Sequence, residues 1–167
     1  MTAFPLDPQQ NADLTDFIAE LNKANVDYLV VGAWAVMAHS RTFRVTKDLD
    51  IYVSAIPDNL QRLKAALAAF GAPPNIVALA DAPPTDAAFE GFIFGRPPAR
   101  IDVLTKMEMS FESLRQRATI FSHATLTTVA VIGKDDLIAL KRAANRVQDR
   151  HDVKALMQTS TIRTRRS

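Results

Sequence analysis

Three aspartates on two strand-like segments are the residues of this sequence whose types and spacing suggest chemistry. Asp48 and Asp50 stand two positions apart in the run 48–53, and side chains two positions apart share one face of a strand. Two carboxylates held this close repel each other, so one of them tends to stay protonated unless a cation lies between them. Because Mg²⁺ favours one or two protein carboxylates together with water and phosphate oxygens, the pair predicts a magnesium site.

The segment 100–104 repeats this pattern with a single acid. Asp102 lies between Ile101 and Val103, so its carboxylate is predicted on the face opposite to the two apolar side chains. If the two strands are neighbours, Asp102 completes a three-carboxylate site for Mg²⁺ or Mn²⁺. In phosphoryl transfer such a site can hold the nucleotide phosphates and activate the attacking hydroxyl. The alternative is that all three acids face solvent on half-exposed strands.

Two features before the acids are suited to phosphate binding. The apolar run 26–31 ends at Gly32 and Ala33 and continues into a helix-like segment, and such a junction exposes backbone N–H groups and the positive end of a helix dipole. The segment 41–47 then brings three cations and two hydroxyls directly before the acids. Its polar members are Arg41, Thr42, Arg44, Thr46 and Lys47. The alternative is an ordinary turn followed by an ordinary polar loop.

The helical segment 134–146 carries a lysine on its apolar face. Lys141 follows Leu137 by four residues, so the two side chains lie on the same side of the helix. A lysine in this place either extends along the apolar surface to reach water or extends over the cleft towards a nucleotide phosphate. Arg142 and Arg146 are predicted to project away from this face.

A second acidic pair stands at the start of the closing helix. Asp149 is predicted to be the N-cap of a helix over 149–158, and Asp152 would then be favourable in its first turn.

These features follow one another in a recognisable order. The pattern runs from Gly32-Ala33-Trp34-Ala35-Val36 through His39 to Arg44-Val45-Thr46-Lys47-Asp48-Leu49-Asp50, with Asp102 on a later strand. It resembles the signature of the DNA polymerase β-like nucleotidyltransferase superfamily. The nearest likeness is to small AbiEii-type nucleotidyltransferase toxins and related bacterial proteins, and it covers roughly residues 28–156.

The resemblance implies an enzyme that moves an NMP from an NTP to an acceptor hydroxyl. It implies catalytic roles for Asp48, Asp50, Asp102 and Lys141, and nucleotide-binding roles for Gly32, Ala33, Arg44, Thr46, Lys47 and Asp152. It further implies a toxin with RNA, such as a tRNA 3′ end, as acceptor and a cognate antitoxin as partner. Ala33 departs from the pattern, because many members have serine or a second glycine there and alanine offers no hydroxyl to the phosphates.

Two other functions stay open. The acceptor could be a small molecule, as in aminoglycoside-modifying nucleotidyltransferases, since the net charge is only +2. Alternatively, the chain could bind nucleotides or a partner protein without catalysis, which Ala33 favours.

The elements that must position these residues alternate between helices and strands. Helices are predicted over 13–24, 33–39, 57–69, 108–116, 134–146 and 149–158, and strands over 26–31, 48–53, 76–79, 89–94, 100–104 and 126–131. This order predicts an α+β fold, a mixed sheet flanked by helices with the C-terminal helices over the cleft. Residues 1–167 are predicted to form one nucleotidyltransferase domain. Its parts are a core over 11–131, C-terminal helices over 134–158 and a basic tail over 159–167.

Composition excludes some chemistries. The sequence has no cysteine, so disulfides, thiolate catalysis and thiolate zinc sites are ruled out. The three histidines lack metal-binding spacing, and Trp34 is interpreted as a core residue rather than a platform for a base. No apolar run reaches the roughly 18 residues that a membrane span needs. We therefore expect no membrane partner, no signal peptide and a cytoplasmic location.

Overall fold

A computed structural model describes residues 1–86 and 89–164 and contains one mixed sheet. The strands of this described part are β1 Tyr28–Val31, β2 Asp48–Val53, β3 Thr85–Asp86, β4 Phe89–Phe94, β5 Arg100–Leu104, β6 Thr119–His123 and β7 Thr127–Val131. The helices are α1 Ala12–Lys23, α2 Gly32–Ser40, α3 Pro57–Phe70, α4 Pro74–Leu79, α5 Phe111–Gln116, α6 Lys134–Ala144 and α7 Val147–Thr164. The predicted α+β class, with a mixed sheet flanked by helices, is confirmed.

The strand order is β3-β4-β5-β2-β1-β7-β6. Strand β2 runs parallel to β5 and antiparallel to β1, while β1 runs parallel to β7. In the β2–β5 register, Asp50 lies opposite Asp102 and Asp48 lies opposite Arg100. The three aspartates, although 52 or more positions apart between strands, therefore come together at the centre of the sheet.

Apolar side chains on alternate positions bury one face of β2. Leu49, Ile51 and Val53 are each 0% exposed and belong to one cluster of core residues. Helix α1 packs against α3 over this core, where the ring of Phe17 contacts the ring of Phe70 at 5.2 Å between centroids. Helices α2, α6 and α7 form a second packed group, and α2 also contacts β1 and β2. Asp48 and Asp50 are thus held on a central strand whose other face is buried in the core.

The prediction of a strand over 76–79 is wrong. These residues belong to α4, which starts at Pro74, and Pro73 is its N-cap. Proline is well tolerated at the start of a helix because that position has no intrahelical hydrogen bond to lose. The two prolines therefore start a helix here instead of bounding a strand.

Other element boundaries also differ from the sequence predictions. Strand β6 was missed, and it pairs antiparallel with β7, from Thr119 opposite Val131 to His123 opposite Thr127. The two-residue strand β3 was also missed. Helix α5 starts at Phe111 instead of residue 108, because Ser110 caps it by accepting a hydrogen bond from the Ser113 N–H at 3.2 Å.

The C-terminal end of the described chain is helical. Helix α7 continues to Thr164, through most of the segment predicted as a basic tail, and residues 165–167 lie outside the described part. Within the described residues, no helix is both long enough and apolar enough to cross a membrane.

Asn59 ties α3 to the ends of the two central strands. It is 0% exposed, its Oδ1 accepts from the Asp27 N–H at 2.8 Å, and its Nδ2 donates to the carbonyls of Asp27 at 3.0 Å and Ser54 at 2.7 Å. These bonds satisfy backbone groups directly before β1 and directly after β2. The side chain therefore fixes the distance between the two strands that lead to the site.

We predict that Asn59→Ala lowers the free energy of unfolding by about 2–4 kcal/mol, since it removes the hydrogen bonds to the Asp27 N–H and to the buried Ser54 carbonyl. Urea unfolding monitored by circular dichroism measures this loss. The control Gln61→Ala, an exposed residue of the same helix, should change stability by less than about 0.5 kcal/mol. Equal midpoints for the two variants would contradict the role given to Asn59.

Candidate active site

The three acids converge on one point of the sheet. One carboxylate oxygen from each of Asp48, Asp50 and Asp102 lies within 4.8 Å of the other two. Asp102 is 9% exposed, and the other two are half-buried. This spacing is compatible with a shared divalent cation, whose oxygen ligands lie about 2.0–2.6 Å away. The cluster lines a cleft of about 870 Å³ between the sheet and the C-terminal helices.

The glycine junction lies directly beside this cluster. In the antiparallel β1–β2 pair Val31 lies opposite Asp50, and α2 starts at the next residue, Gly32. Gly32 has φ +65°, and a Cβ there would collide with the Asp50 carboxylate. Glycine is therefore required for two reasons, the left-handed backbone and the close approach of the acid. Both Gly32 and Ala33 line the cleft.

Arg100 contacts two of the three acids, Asp48 and Asp102. Its Nε donates to Asp102 Oδ1 at 3.0 Å, and its Nη2 donates to Asp102 Oδ2 at 3.2 Å and to Asp48 Oδ2 at 2.5 Å. Sequence analysis missed this residue. The signal was available, because Arg100 stands two positions before Asp102 and so shares its face of β5.

The negative charge of the cluster is only partly compensated. Burial, and then the neighbouring charges of Asp48 and Asp102, raise the pKa of Asp50 to about 7, although Lys141 and Arg100 oppose this rise. Burial also raises the pKa of Asp102, against the hydrogen bonds and charge of Arg100. At neutral pH the Asp50 carboxyl therefore holds a proton part of the time, as expected for adjacent carboxylates without a bound metal ion.

A cationic wall faces the acids across the cleft, formed by Arg44, Lys141 and Arg146, all of which line it. Lys141 is the most enclosed of the three, with 12% of its side chain exposed. Its charge and that of Arg146 act on Asp50, which places both cations near the acid cluster. Lys141 thus extends into the cleft instead of reaching open solvent. Arg146, predicted to project away from the apolar face of α6, lies beyond the end of that helix and lines the cleft, with 76% of its side chain exposed.

The predicted N-cap role of Asp149 needs correction. Helix α7 starts at Val147, two residues earlier than predicted, so Asp149 is its third residue. From there Asp149 Oδ2 accepts a hydrogen bond from the Arg146 N–H at 3.0 Å. A side chain at the third helical position that bonds back to the N-cap N–H is the second half of a capping box. Asp152 follows one turn later, with its carboxylate in contact with Arg44 and Lys141.

Of the two remaining predicted site residues, Thr46 lies in the cleft and Lys47 does not. Thr46 lines the cleft, and its hydroxyl lies 3.4 Å from Asp48 Oδ1. Lys47 is exposed and is not among the residues that line the cleft.

Trp34 is 4% exposed in the core, as predicted. The Nε2 of His39 lies 2.7 Å from the Ile132 carbonyl oxygen, which ties α2 to the end of β7.

Comparisons with known proteins address the fold. No family model matches the chain. No curated protein matches it either. The structure is nevertheless similar to several solved structures, three of which follow. The crystal structure of ANT(2'')-Ia in complex with adenylyl-2''-tobramycin aligns with a TM-score of 0.60 at 13% identity, over 95% of this chain and 99% of that one.

The other two structures agree with the first. The solution structure of the antibiotic-resistance factor ANT(2'')-Ia aligns with a TM-score of 0.56 at 13% identity, over 93% of this chain and 85% of that one. An antigenic nucleotidyltransferase-like protein from Paracoccidioides brasiliensis aligns with a TM-score of 0.53 at 12% identity, over 91% of this chain and 75% of that one. The chain therefore has the nucleotidyltransferase fold, as the resemblance implied.

The burial of Asp50, together with repulsion from its two acidic neighbours, makes a prediction for stability. The pKa of Asp50 is about 7 in the folded protein, against an ordinary value of 3.8. Between these two values the folded protein binds more protons than the unfolded chain, so stability falls as pH rises from about 4 to about 7. Asp50→Asn should abolish this loss and raise stability at pH 8 by on the order of 2–4 kcal/mol in EDTA.

Thermal unfolding in EDTA at pH 4.5 and pH 8 measures the effect. The Tm of Asp50→Asn should exceed the wild-type Tm by about 4 °C or more at pH 8 and by much less at pH 4.5. Asp16→Asn, at an exposed position of α1, controls for the loss of one charge. A gain of the same size at both pH values would contradict the ionisation of buried Asp50 as its cause.

Proposed function

We propose that this chain is a metal-dependent nucleotidyltransferase. It transfers an NMP from an NTP to an acceptor hydroxyl with release of pyrophosphate. The observation that carries this proposal is the convergence of Asp48, Asp50 and Asp102 on one point, opposite the cationic wall. We treat residues 1–167 as one domain for this activity.

The residues present fit a divalent cation. The cluster offers oxygen ligands only, which suits Mg²⁺ or Mn²⁺. Arg100 shows that the cluster attracts positive charge, because its guanidinium bridges Asp48 and Asp102. Bound between the three carboxylates, the metal would neutralise the phosphates and favour ionisation of the acceptor hydroxyl.

The side chains of the cleft have separate roles in accepting the proton and binding the phosphates. Asp102 accepts the proton of the acceptor hydroxyl, and the freed oxygen forms the new bond to the α-phosphorus. The bond between the α-phosphorus and the oxygen bridging to the β-phosphorus breaks, and pyrophosphate leaves with that electron pair. Arg44, Lys141 and Arg146 bind the phosphate oxygens, as cations do for developing charge in phosphoryl transfer. Ala33 contributes only its backbone N–H, near the positive end of α2.

RNA is the first candidate acceptor. The resemblance to AbiEii-type toxins supports an RNA acceptor, such as a tRNA 3′ end, and a cognate antitoxin that blocks the cleft. An aminoglycoside-like small molecule is the second candidate. The likeness to ANT(2'')-Ia, seen with adenylyl-2''-tobramycin and matched over 99% of its length, favours this one. Binding without transfer is the third, and the missing hydroxyl at Ala33 favours it.

Incorporation of α-labelled NTPs tests the activity. Each NTP is supplied with Mg²⁺ or Mn²⁺ and with either bulk tRNA or an aminoglycoside panel, which separates the first two candidates. We predict that Asp48→Ala and Asp50→Ala each reduce labelling at least about 100-fold, because each removes a metal ligand. The acceptor that becomes labelled names the substrate class.

The control for this assay is Asp16→Ala, which removes an exposed acid far from the cluster in sequence and should label like the wild type. Undiminished labelling by Asp48→Ala and Asp50→Ala would refute the role of the acids. NTP binding by the wild type without any labelled acceptor would support the third candidate instead.

A further inference from the structure

Two buried acids contact the cationic wall. Asp149 is 1% exposed and Asp152 is 3% exposed, although both are on a helix that borders the cleft. Burying a carboxylate is costly unless it is paired and hydrogen-bonded. Their partners therefore show what the two acids do.

Both oxygens of Asp152 are engaged within the protein. Its Oδ2 lies 3.0 Å from Lys141 Nζ and accepts a hydrogen bond from Arg44 Nη2 at 3.2 Å. Its Oδ1 accepts from Gln148 Nε2 at 3.0 Å. The carboxylate thus ties the segment before β2 to helix α6 and has no free oxygen turned towards the cleft.

Asp149 completes the network from one turn earlier. Its Oδ2 accepts from Arg146 Nε at 2.8 Å, and its Oδ1 lies 3.4 Å from Lys141 Nζ. Burial raises the pKa of Asp149, but the hydrogen bonds from Arg146 and the charge of Lys141 outweigh it and leave that pKa below its ordinary value. Lys141 is therefore held between two buried carboxyl groups.

The arrangement pairs two buried carboxyl groups with cations of the cleft, and of the two acids Asp149 also lines the cleft. Two carboxylates hold three cations that come from the segment before β2, from α6 and from the α6–α7 junction. All three cations line the cleft. A free arginine or lysine loses about 2 kcal/mol of side-chain entropy when a ligand orders it, and a cation that is already ordered does not.

We propose that Asp149 and Asp152 are positioning residues that preorganise Arg44, Lys141 and Arg146 to bind the triphosphate of the nucleotide. The inference rests on the proposed function and refines it. Asp152, which the resemblance placed among the nucleotide-binding residues, acts on the nucleotide through Lys141 and Arg44.

The sign of one mutational effect separates this proposal from a simpler view. If Asp152 were only an acid near a polyanion, Asp152→Asn would remove repulsion and tighten nucleotide binding. If Asp152 positions the cations, the same change weakens binding. We expect a loss of about tenfold or more, because each charge-assisted hydrogen bond contributes at least that much.

The test is calorimetric binding of ATP, CTP, GTP and UTP, each with Mg²⁺, to the full chain. The NTP that binds the wild type most tightly is then titrated into Asp152→Asn, Lys141→Met and the double variant. Because Asp152 acts in part through Lys141, the loss of affinity in the double variant should be smaller than the sum of the two single losses. Glu108→Gln, which removes an exposed acid from the same cleft, should leave the affinity unchanged or slightly tighter.

Gln148→Ala provides a second variant that should fold normally, since Gln148 is exposed. It removes one hydrogen bond from Asp152 without changing any charge, and we expect affinity to fall about two- to fivefold. Unchanged or tighter binding by both Asp152→Asn and Gln148→Ala would overturn the positioning role while leaving the proposed function intact. A wild type that binds no NTP with Mg²⁺ would overturn both.

Discussion

The parallel pairing of β2 with β5 is the constraint on which the site depends. Its register places Asp50 directly opposite Asp102 and thereby forces like charges together at the centre of a buried sheet. A shift of one residue would turn either acid towards the core, where Leu49 and Ile101 now lie. The apolar face of the strands therefore enforces the proximity of the carboxylates, at a cost that appears in the raised pKa of Asp50.

Cations on two sides of the cluster offset the repulsion between its carboxylates. Arg100 bridges Asp48 and Asp102 from β5 itself, while Arg44, Lys141 and Arg146 approach from the segment before β2 and from the C-terminal helices. The cations of the second group form ion pairs with the buried acids of α7, Asp149 and Asp152. Such a cleft keeps acids and cations apart, and it suits a ligand that carries both a metal ion and phosphates.

Local patterns in the sequence were enough to predict the three clustered acids but not the full geometry of the cleft. Alternation of apolar and acidic residues placed Asp48, Asp50 and Asp102 on strands, and β2 and β5 have the predicted bounds. The pairing of two strands about 50 residues apart is a tertiary property, and no local pattern encodes it. Pro73 and Pro74 could either bound a strand or start a helix, and only packing decides between these outcomes.

The contacts of the cationic wall also could not be predicted from local sequence patterns. The helical position of Lys141 predicted that it lies on the apolar face, but its two acidic partners depend on the turn at Asn145, where φ is +51°. That turn is followed by α7, which starts two residues earlier than predicted, and Arg146 stands between the two helices. Arg100, in contrast, could have been found from its two-residue spacing to Asp102.

Manganese binding tests the central claim most directly. Titration of the wild type with Mn²⁺, followed by the loss of the free-ion signal in electron paramagnetic resonance, should give saturable binding of one or two ions per chain. Asp102→Asn should weaken the tightest of these sites by about tenfold or more, because it removes a carboxylate ligand from β5. Equal Mn²⁺ affinity in the wild type and in Asp102→Asn would contradict a shared metal site.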